Sequence, residues 1–194
     1  MSKPRWDRLE TRYVSDEGND LILFRTRYDR MRNPRNNLVA ERLVLESTDW
    51  VNIVAVTPAG DSVMVRQFRF GVGYDTLETP GGMVDPDENP LVAARRELLE
   101  ETGFGGGTWT YLGAVEPNPA FHDHLCHHWL ATDVEKVAEL DLGNGEHIIV
   151  DLLSEAQIVA AVRSGEIKHA LALSVLSRVY TLWPTPFTHD FHEE

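Results

Sequence analysis

Glu97, Glu100 and Glu101 crowd into the segment 82–104, GMVDPDENPLVAARRELLEETGF, with Glu88 upstream and Arg96 among them. Carboxylates repeated at intervals of three and four residues share one sector of a helix, and each like-charge pair costs an isolated helix roughly 0.2 to 0.5 kcal/mol. The crowding becomes favourable if a divalent cation sits among the oxygens. Hard cations such as Mg²⁺ usually take only one or two carboxylates together with substrate phosphates, so the geometry to expect is an open half-shell of acids facing solvent. The competing explanation is a solvated charged face, which an EE pair beside an RE pair on a helix usually is.

Local signals set the elements that must hold these acids. Asn89 is a natural N-cap, Pro90 fits the first helical position and Gly103 is placed to end the helix, which predicts a helix from Pro90 to Thr102. At 100° per residue, Leu91, Val92, Ala94, Leu98 and Leu99 form a core side, with Glu97, Glu100 and Glu101 opposite and Arg96 at the margin. Thr79-Pro80-Gly81-Gly82 is a tight loop of small residues, placed where backbone must come close to something. Upstream, the apolar run Val51 to Val56 suits a buried central strand, Pro58 to Asp61 a turn, and Ser62 to Arg69 a returning strand whose apolar residues do not alternate cleanly.

The complete spacing decides between the two explanations. Gly82, five residues, Glu88, seven residues, Arg96-Glu97-Leu98, one residue, Glu100-Glu101, one residue, then Gly103 and Phe104 resembles the Nudix box at every defining position. From average residue usage, a chance match in a chain of this length is on the order of one in ten million. The resemblance implies a Nudix hydrolase: an α/β/α sandwich around a mixed β-sheet that uses Mg²⁺ or Mn²⁺ to cleave a nucleoside diphosphate linked to another moiety. DWVNIVAVT, VRQFRFG, LETPGG and GEHIIVDLLSEAQIVAAVRSGEIKHALAL are similar to the subgroup acting on ADP-ribose and related nucleoside diphosphate sugars.

That resemblance implies residue roles. Glu97, Glu100, Glu101 and the Gly81 carbonyl would bind metal, Arg96 would orient a glutamate, and substrate contacts would come from Arg69, Glu78, Gly82 and Pro119. Glu146 would act on the attacking water from a loop, with Glu139 and Asp141 as rivals for that role. After Pro119 the subgroup has a glycine where this chain has Ala120-Phe121, a departure that weakens ADP-ribose as the sole substrate. Dinucleoside polyphosphates and damaged nucleotides are alternative substrates within the family. A non-catalytic ADP-ribose sensor is the rival of a different class, although a sensor has no need of the full acid set. An RNA-cap hydrolase is a weaker rival.

Composition bounds the remaining possibilities. The 194 residues, 42% hydrophobic and 25% charged, suit one folded domain over 48–194 with a β-rich arm over 1–47. Cys126 alone gives no internal disulfide, the opening MSKPRWDRLE has no apolar signal core, and no apolar run is long enough to span a bilayer, so a cytoplasmic protein without a membrane partner is expected. The net charge of −13 argues against nucleic acid as a partner. Ten of the eighteen Lys and Arg lie within residues 1–42 against seven acids, leaving that segment at +3 and the remainder at −16. The arm reads as strands near Tyr13-Val14, Asp20 to Arg27 and Leu38 to Leu45. The arginine-rich stretch Arg25 to Asn37 reads as a loop, and the family resemblance makes the arm a homodimer contact.

Further along, Gly105-Gly106-Gly107 reads as a flexible exit from the helix and Trp109 to Val115 as a strand. His122, His124, His127 and His128 around Cys126 invite a zinc reading. On a strand from His122 to Ala131, however, alternation sends His127 to the other face, so no tetrahedral set is required. Asp133 to Gly145 reads as a loop after a short helical turn and His147 to Val150 as a strand. Ser154 to Val162 and His169 to Trp183 read as helices, and His189 and His192 as part of a polar tail.

Overall fold

The computed structural model describes residues 7–13, 24–142 and 147–183. The chain divides into two compact units, Met1–Asp49 with Glu116–Leu125, and Trp50–Val115 with Cys126–Glu194.

The first unit is a three-stranded antiparallel sheet in the order β1 (Asp7–Tyr13), β2 (Arg25–Arg32), β3 (Val39–Glu46). The expected arginine-rich loop is therefore mostly strand, and only 33–38 turns the chain. Apolar alternation is missing from β2 because its inward positions are charged: Arg27 and Asp29 are both buried, with Arg27 Nε 3.3 Å from Asp29 Oδ1. Arg27 also pairs with Glu46 and, at 3.3 Å, with Asp123. Inward charges of this kind satisfy one another and give a strand that hydrophobic pattern alone misses.

The second unit is built on a seven-stranded sheet ordered β10 (Ile148–Leu153), β5 (Ser62–Arg69), β4 (Trp50–Val56), β9 (Cys126–Lys136), β8 (Phe104–Val115). β6 (Tyr74–Glu78) pairs with β5, and β7 (Gly81–Met83) with β4. The sheet is mixed, since β4 and β9 run parallel and the other pairs antiparallel. Helix α1 (Pro90–Thr102) covers one face through Ala93, Ala94 and Leu98 against Val51, Ile53 and Val63. Helices α2 (Glu155–Arg163) and α3 (Ala170–Leu176) cover the other through Ile158, Val162, Ala172 and Val175 against Val54 and Met64. Burial on both faces explains why the first half of β5 is apolar without alternation. The α/β/α sandwich expected from the sequence is the fold of this unit.

Three other local readings need correction. Gly105-Gly106-Gly107 belong to β8, because a Cβ at Gly107 would overlap the Thr132 carbonyl of the neighbouring strand and Gly106 and Gly107 take φ of 75° and 69°. The strand after it begins at Cys126, not His122, and runs on through Lys136 where a helical turn was expected. The histidine run is thus divided: His122 stacks on Phe24 and on His124 in the first unit, while His128 points into the second unit's core and His127 Nδ1 meets the Tyr111 hydroxyl at 3.0 Å. The last helix stops at Leu176, and the chain leaves it so that the Tyr180 hydroxyl can reach Ser62 Oγ at 2.6 Å. The tail histidines His189 and His192 lie outside the described residues.

His128 is fully buried with neither ring nitrogen hydrogen-bonded among the described residues. Burial first, then the charges of Arg178 and His127, pushes its pKa down to about 4. An unfolded chain takes up that proton near pH 6.5, so this group's contribution to stability is complete above that pH and is lost as pH falls towards 4. Between pH 7 and pH 5 the loss from this residue should be about 2 kcal/mol. Urea denaturation at the two pH values should show a correspondingly smaller drop in His128→Leu than in the natural chain.

Candidate functional site

Helix α1 begins where the sequence places it. Asn89 Oδ1 accepts from the Leu91 amide at 2.9 Å, Pro90 occupies the first turn, and Gly103 closes the helix at φ 68° with its amide on the Leu99 carbonyl at 2.7 Å. Its rotation differs from the expected one. Val92 and Leu99 are exposed, whereas Ala93, Glu101 and Thr102 are buried beside Ala94 and Leu98. The small side chains at 93 and 94 let the helix approach the sheet on that side. The turn carries Glu97 and Glu101 towards β7 rather than directly away from the core.

The two glycines of β7 receive these acids. The Gly81 amide donates to Glu101 Oε2 at 3.0 Å. A Cβ on Gly82 would overlap the Glu97 carboxylate, and one on Gly81 would overlap the Val51 carbonyl. Neither position accommodates a side chain in this arrangement. The loop feeding β7 is fixed from the sheet: Ile53 N donates to the Pro80 carbonyl at 2.9 Å, and Asn52 Nδ2 to Thr79 Oγ1 at 2.9 Å. Asn52 also accepts from the Cys126 thiol at 3.1 Å.

Arg96 gathers the remaining acids. Its Nη1 donates to Glu97 Oε1 at 2.8 Å and to Glu100 Oε2 at 3.2 Å; Nε and Nη2 grip Glu88 at 3.2 and 2.9 Å; and Nη2 reaches the Met83 carbonyl at 3.0 Å. Glu88 and then Glu97 hold the guanidinium more firmly protonated than usual, and Arg96 in turn holds the Glu88 carboxyl below the usual carboxylate range. Three carboxylates against one guanidinium leave a formal surplus of two negative charges in this group alone. With Glu97 and Glu100 turned to Arg96 and Glu101 turned to Gly81, no three His, Cys, Asp or Glu side chains among the described residues converge as a ready metal cage.

The other expected residues fall in separate places. Arg69 and Glu78 face each other across the β5–β6 hairpin in a two-pronged pair, Nε to Oε1 at 2.9 Å and Nη2 to Oε2 at 2.8 Å. Glu78 is only 1% exposed, yet Arg69 and His169 outweigh the burial and hold its carboxyl well below the usual range. His169, marked by the sequence only as the start of a helix, brings Nδ1 to 3.0 Å from Glu78 Oε2. Pro119 sits in the turn 119–121 of the first unit. Glu146 lies outside the described residues. Of its rivals, Asp141 is exposed with its amide on the Glu100 carbonyl at 3.0 Å, and Glu139 is exposed. A cavity of about 370 Å³ beside α1, lined by Arg95, Leu99, Trp109 and Val137, contains no acid and is not the place for a cation. Asn52 could have been suspected from sequence as the one polar residue in VNIVAV, whereas nothing local links His169 to Glu78.

The family model described as NUDIX domain matches residues 48–171. The ADP-ribose pyrophosphatase of Mycobacterium tuberculosis is 31% identical over 162 residues, covering 82% of this chain and 78% of that protein. The ADP-ribose pyrophosphatase of Bacillus subtilis is 30% identical over 136 residues, covering 70% and 74%. Among solved structures, an ADP compounds hydrolase superposes with a TM-score of 0.74 at 22% identity, covering 92% of this chain and 94% of that one, a likeness in fold.

The two glycines predict different outcomes. Gly81→Ala drives a Cβ into backbone and should cost about 1 to 3 kcal/mol of stability. Gly82→Ala meets only the mobile end of Glu97 and should cost less. Urea denaturation of both variants measures the order.

Proposed function

This chain belongs to the Nudix family and is a pyrophosphohydrolase of the ADP-ribose and sugar pyrophosphatase type, and on that premise we propose that it hydrolyses the diphosphate of ADP-ribose or a related nucleoside diphosphate sugar with Mg²⁺ or Mn²⁺. The observation that carries the metal dependence is the acid surplus around Arg96, set against glycine backbone at Gly81 and Gly82. Oxygen donors in excess of local positive charge, beside backbone with no side chain in the way, fit a hard divalent cation. Glu97, Glu100, Glu101 and the Gly81 carbonyl would hold it. A cation bound there supplies Lewis-acid polarisation of the phosphoryl oxygens and lowers the pKa of a coordinated water.

The chain's own groups do the rest. Arg96 orients Glu97 and Glu100 through charge-assisted hydrogen bonds. A loop acid, Glu146, or Asp141 beside Glu100, takes the proton of the attacking water. Its oxygen bonds to one phosphorus as the bridging oxygen leaves, giving a nucleoside monophosphate and a sugar phosphate. Arg69 offers positive charge to the diphosphate, and Glu78 and Gly82 shape the substrate site.

The same reading makes the protein a cytoplasmic homodimer. The lone cysteine in the chain suits a reducing compartment. Leu9, Leu38 and Leu43 on the arm are exposed, as expected of a surface that a second copy covers.

Glu97→Gln should reduce kcat by roughly 100-fold or more while circular dichroism stays unchanged, since even outer-shell partners of a bound metal are worth 10 to 100-fold. The assay is release of nucleoside monophosphate with and without Mg²⁺ over ADP-ribose, other nucleotide sugars and dinucleoside polyphosphates. Turnover by Glu97→Gln at the natural rate would remove the assignment, and a preference for dinucleoside polyphosphates would move the substrate class.

A further inference from the structure

His169 occupies the N-cap of α3 with extended backbone at φ −63° and ψ 118°, but its side chain makes no capping hydrogen bond to its own helix. Ser154 at the start of α2, by contrast, completes a reciprocal capping box with Gln157. A seven-residue helix that forgoes a side-chain cap gives up stability at its first turn, a local rule broken in the way functional positions break them. The imidazole is turned instead to Glu78, Nδ1 to Oε2 at 3.0 Å, with its line of approach off the ideal hydrogen-bond direction.

Glu78 is the least exposed carboxylate of this neighbourhood and takes four contacts: Arg69 Nε and Nη2, Thr76 Oγ1 and His169. A buried carboxylate needs such compensation, and removal of any partner leaves charge stranded. Arg69 differs in character, since its side chain is 43% exposed while Glu78 grips its Nε and Nη2. The guanidinium is therefore held by Glu78 along one edge while its side chain stays substantially exposed. Glu78 is also three residues before Gly81, whose amide Glu101 holds, so the Arg69 clamp and the carboxylate helix anchor the two ends of one short link, Thr79 to Gly81.

We infer that His169 is a positioning residue for the diphosphate site: by sharing the Glu78 carboxylate with Arg69, it fixes the direction of the Arg69 guanidinium and leaves more of its charge for an anionic substrate. This rests on the reading in which Arg69 meets the substrate's diphosphate. His169 touches neither substrate nor the reacting atoms. Its effect passes through Glu78 to Arg69 and is felt in binding more than in the chemical step.

The test is a double-substitution cycle on the full chain, with ADP-ribose as substrate. His169→Leu should raise KM about tenfold with kcat changed less than threefold. His169→Asn, which keeps an N–H donor at the δ position and is a better N-cap, should return KM to within threefold of the natural chain. Arg69→Ala should raise KM at least as much, and adding His169→Leu to it should change KM no further. In ¹⁵N spectra without substrate, the Arg69 Nε–H resonance should be resolved in the natural chain and in His169→Asn, and broadened in His169→Leu. Equal KM factors for His169→Leu with and without Arg69, or an unchanged Arg69 resonance, would overturn the role of His169. An unaffected KM in Arg69→Ala would instead overturn the reading of Arg69, and with it the route proposed here. If His169→Leu does not fold, the Glu78→Gln variant keeps the Arg69 resonance test open, with broadening expected and a sharp, unshifted line counting against the clamp.

Discussion

One guanidinium holding three carboxylates is the constraint around which the second unit is arranged. Arg96 can satisfy Glu88, Glu97 and Glu100 at once only because the helix presents 96, 97 and 100 on adjoining positions while the preceding loop returns Glu88 to the same spot. The cluster remains acid-rich after that pairing. Towards β7, the Gly81 amide takes Glu101, and the missing side chain of Gly82 leaves room for the Glu97 carboxylate. Helix, loop and sheet edge thus form one unit of charge and close contact, stiffened by the buried apolar face of α1.

The opposite face of the sheet handles polar groups differently. Asn52, Thr79 and Cys126 satisfy one another across β4, β9 and the loop before β7, so the loop is pinned from inside the core. Elsewhere, on β6, the buried Glu78 carboxylate is kept ionised by Arg69, with Thr76 and His169 beside it. His128 differs, since among the described residues its ring has no hydrogen-bond partner, and burial keeps it neutral. Buried polar groups that are satisfied make a structure specific, and those that are not make it sensitive to conditions. Asn52 and His128, directly opposite each other on β4 and β9, show both cases on the side away from α1.

Legibility in the sequence followed the range of the interaction. The cap, the first-turn proline and the terminating glycine of α1 act over a few residues, and the helix bounds read from them coincide with those of the fold. Its rotation was misread because Val92 and Leu99 outweigh Ala93 and Ala94 in hydrophobicity, yet small residues are what permit close approach to a sheet. β2 was missed because its inward residues are charged and find their partners on β3 and in the 116–125 segment. Gly105-Gly106-Gly107 in β8 carry the composition of a linker, but at Gly107 the missing side chain is what lets the strand pass the Thr132 carbonyl of its neighbour. That Glu88, Glu97 and Glu100 cluster with Arg96 was legible, since their spacing within one helix and its loop is a local property.

By itself the amino-acid order determined the family, the helix that bears the acids, the layered fold class and the type of chemistry, because each is written in spacing over short distances. Only the tertiary structure decided which carboxylates Arg96 engages, that Gly81 and Gly82 meet Glu101 and Glu97, and that His169 comes to Glu78. Those contacts join groups whose positions depend on how helices settle against the sheet. Packing sets that arrangement through the sizes of small buried side chains, which no charge pattern along the chain reveals.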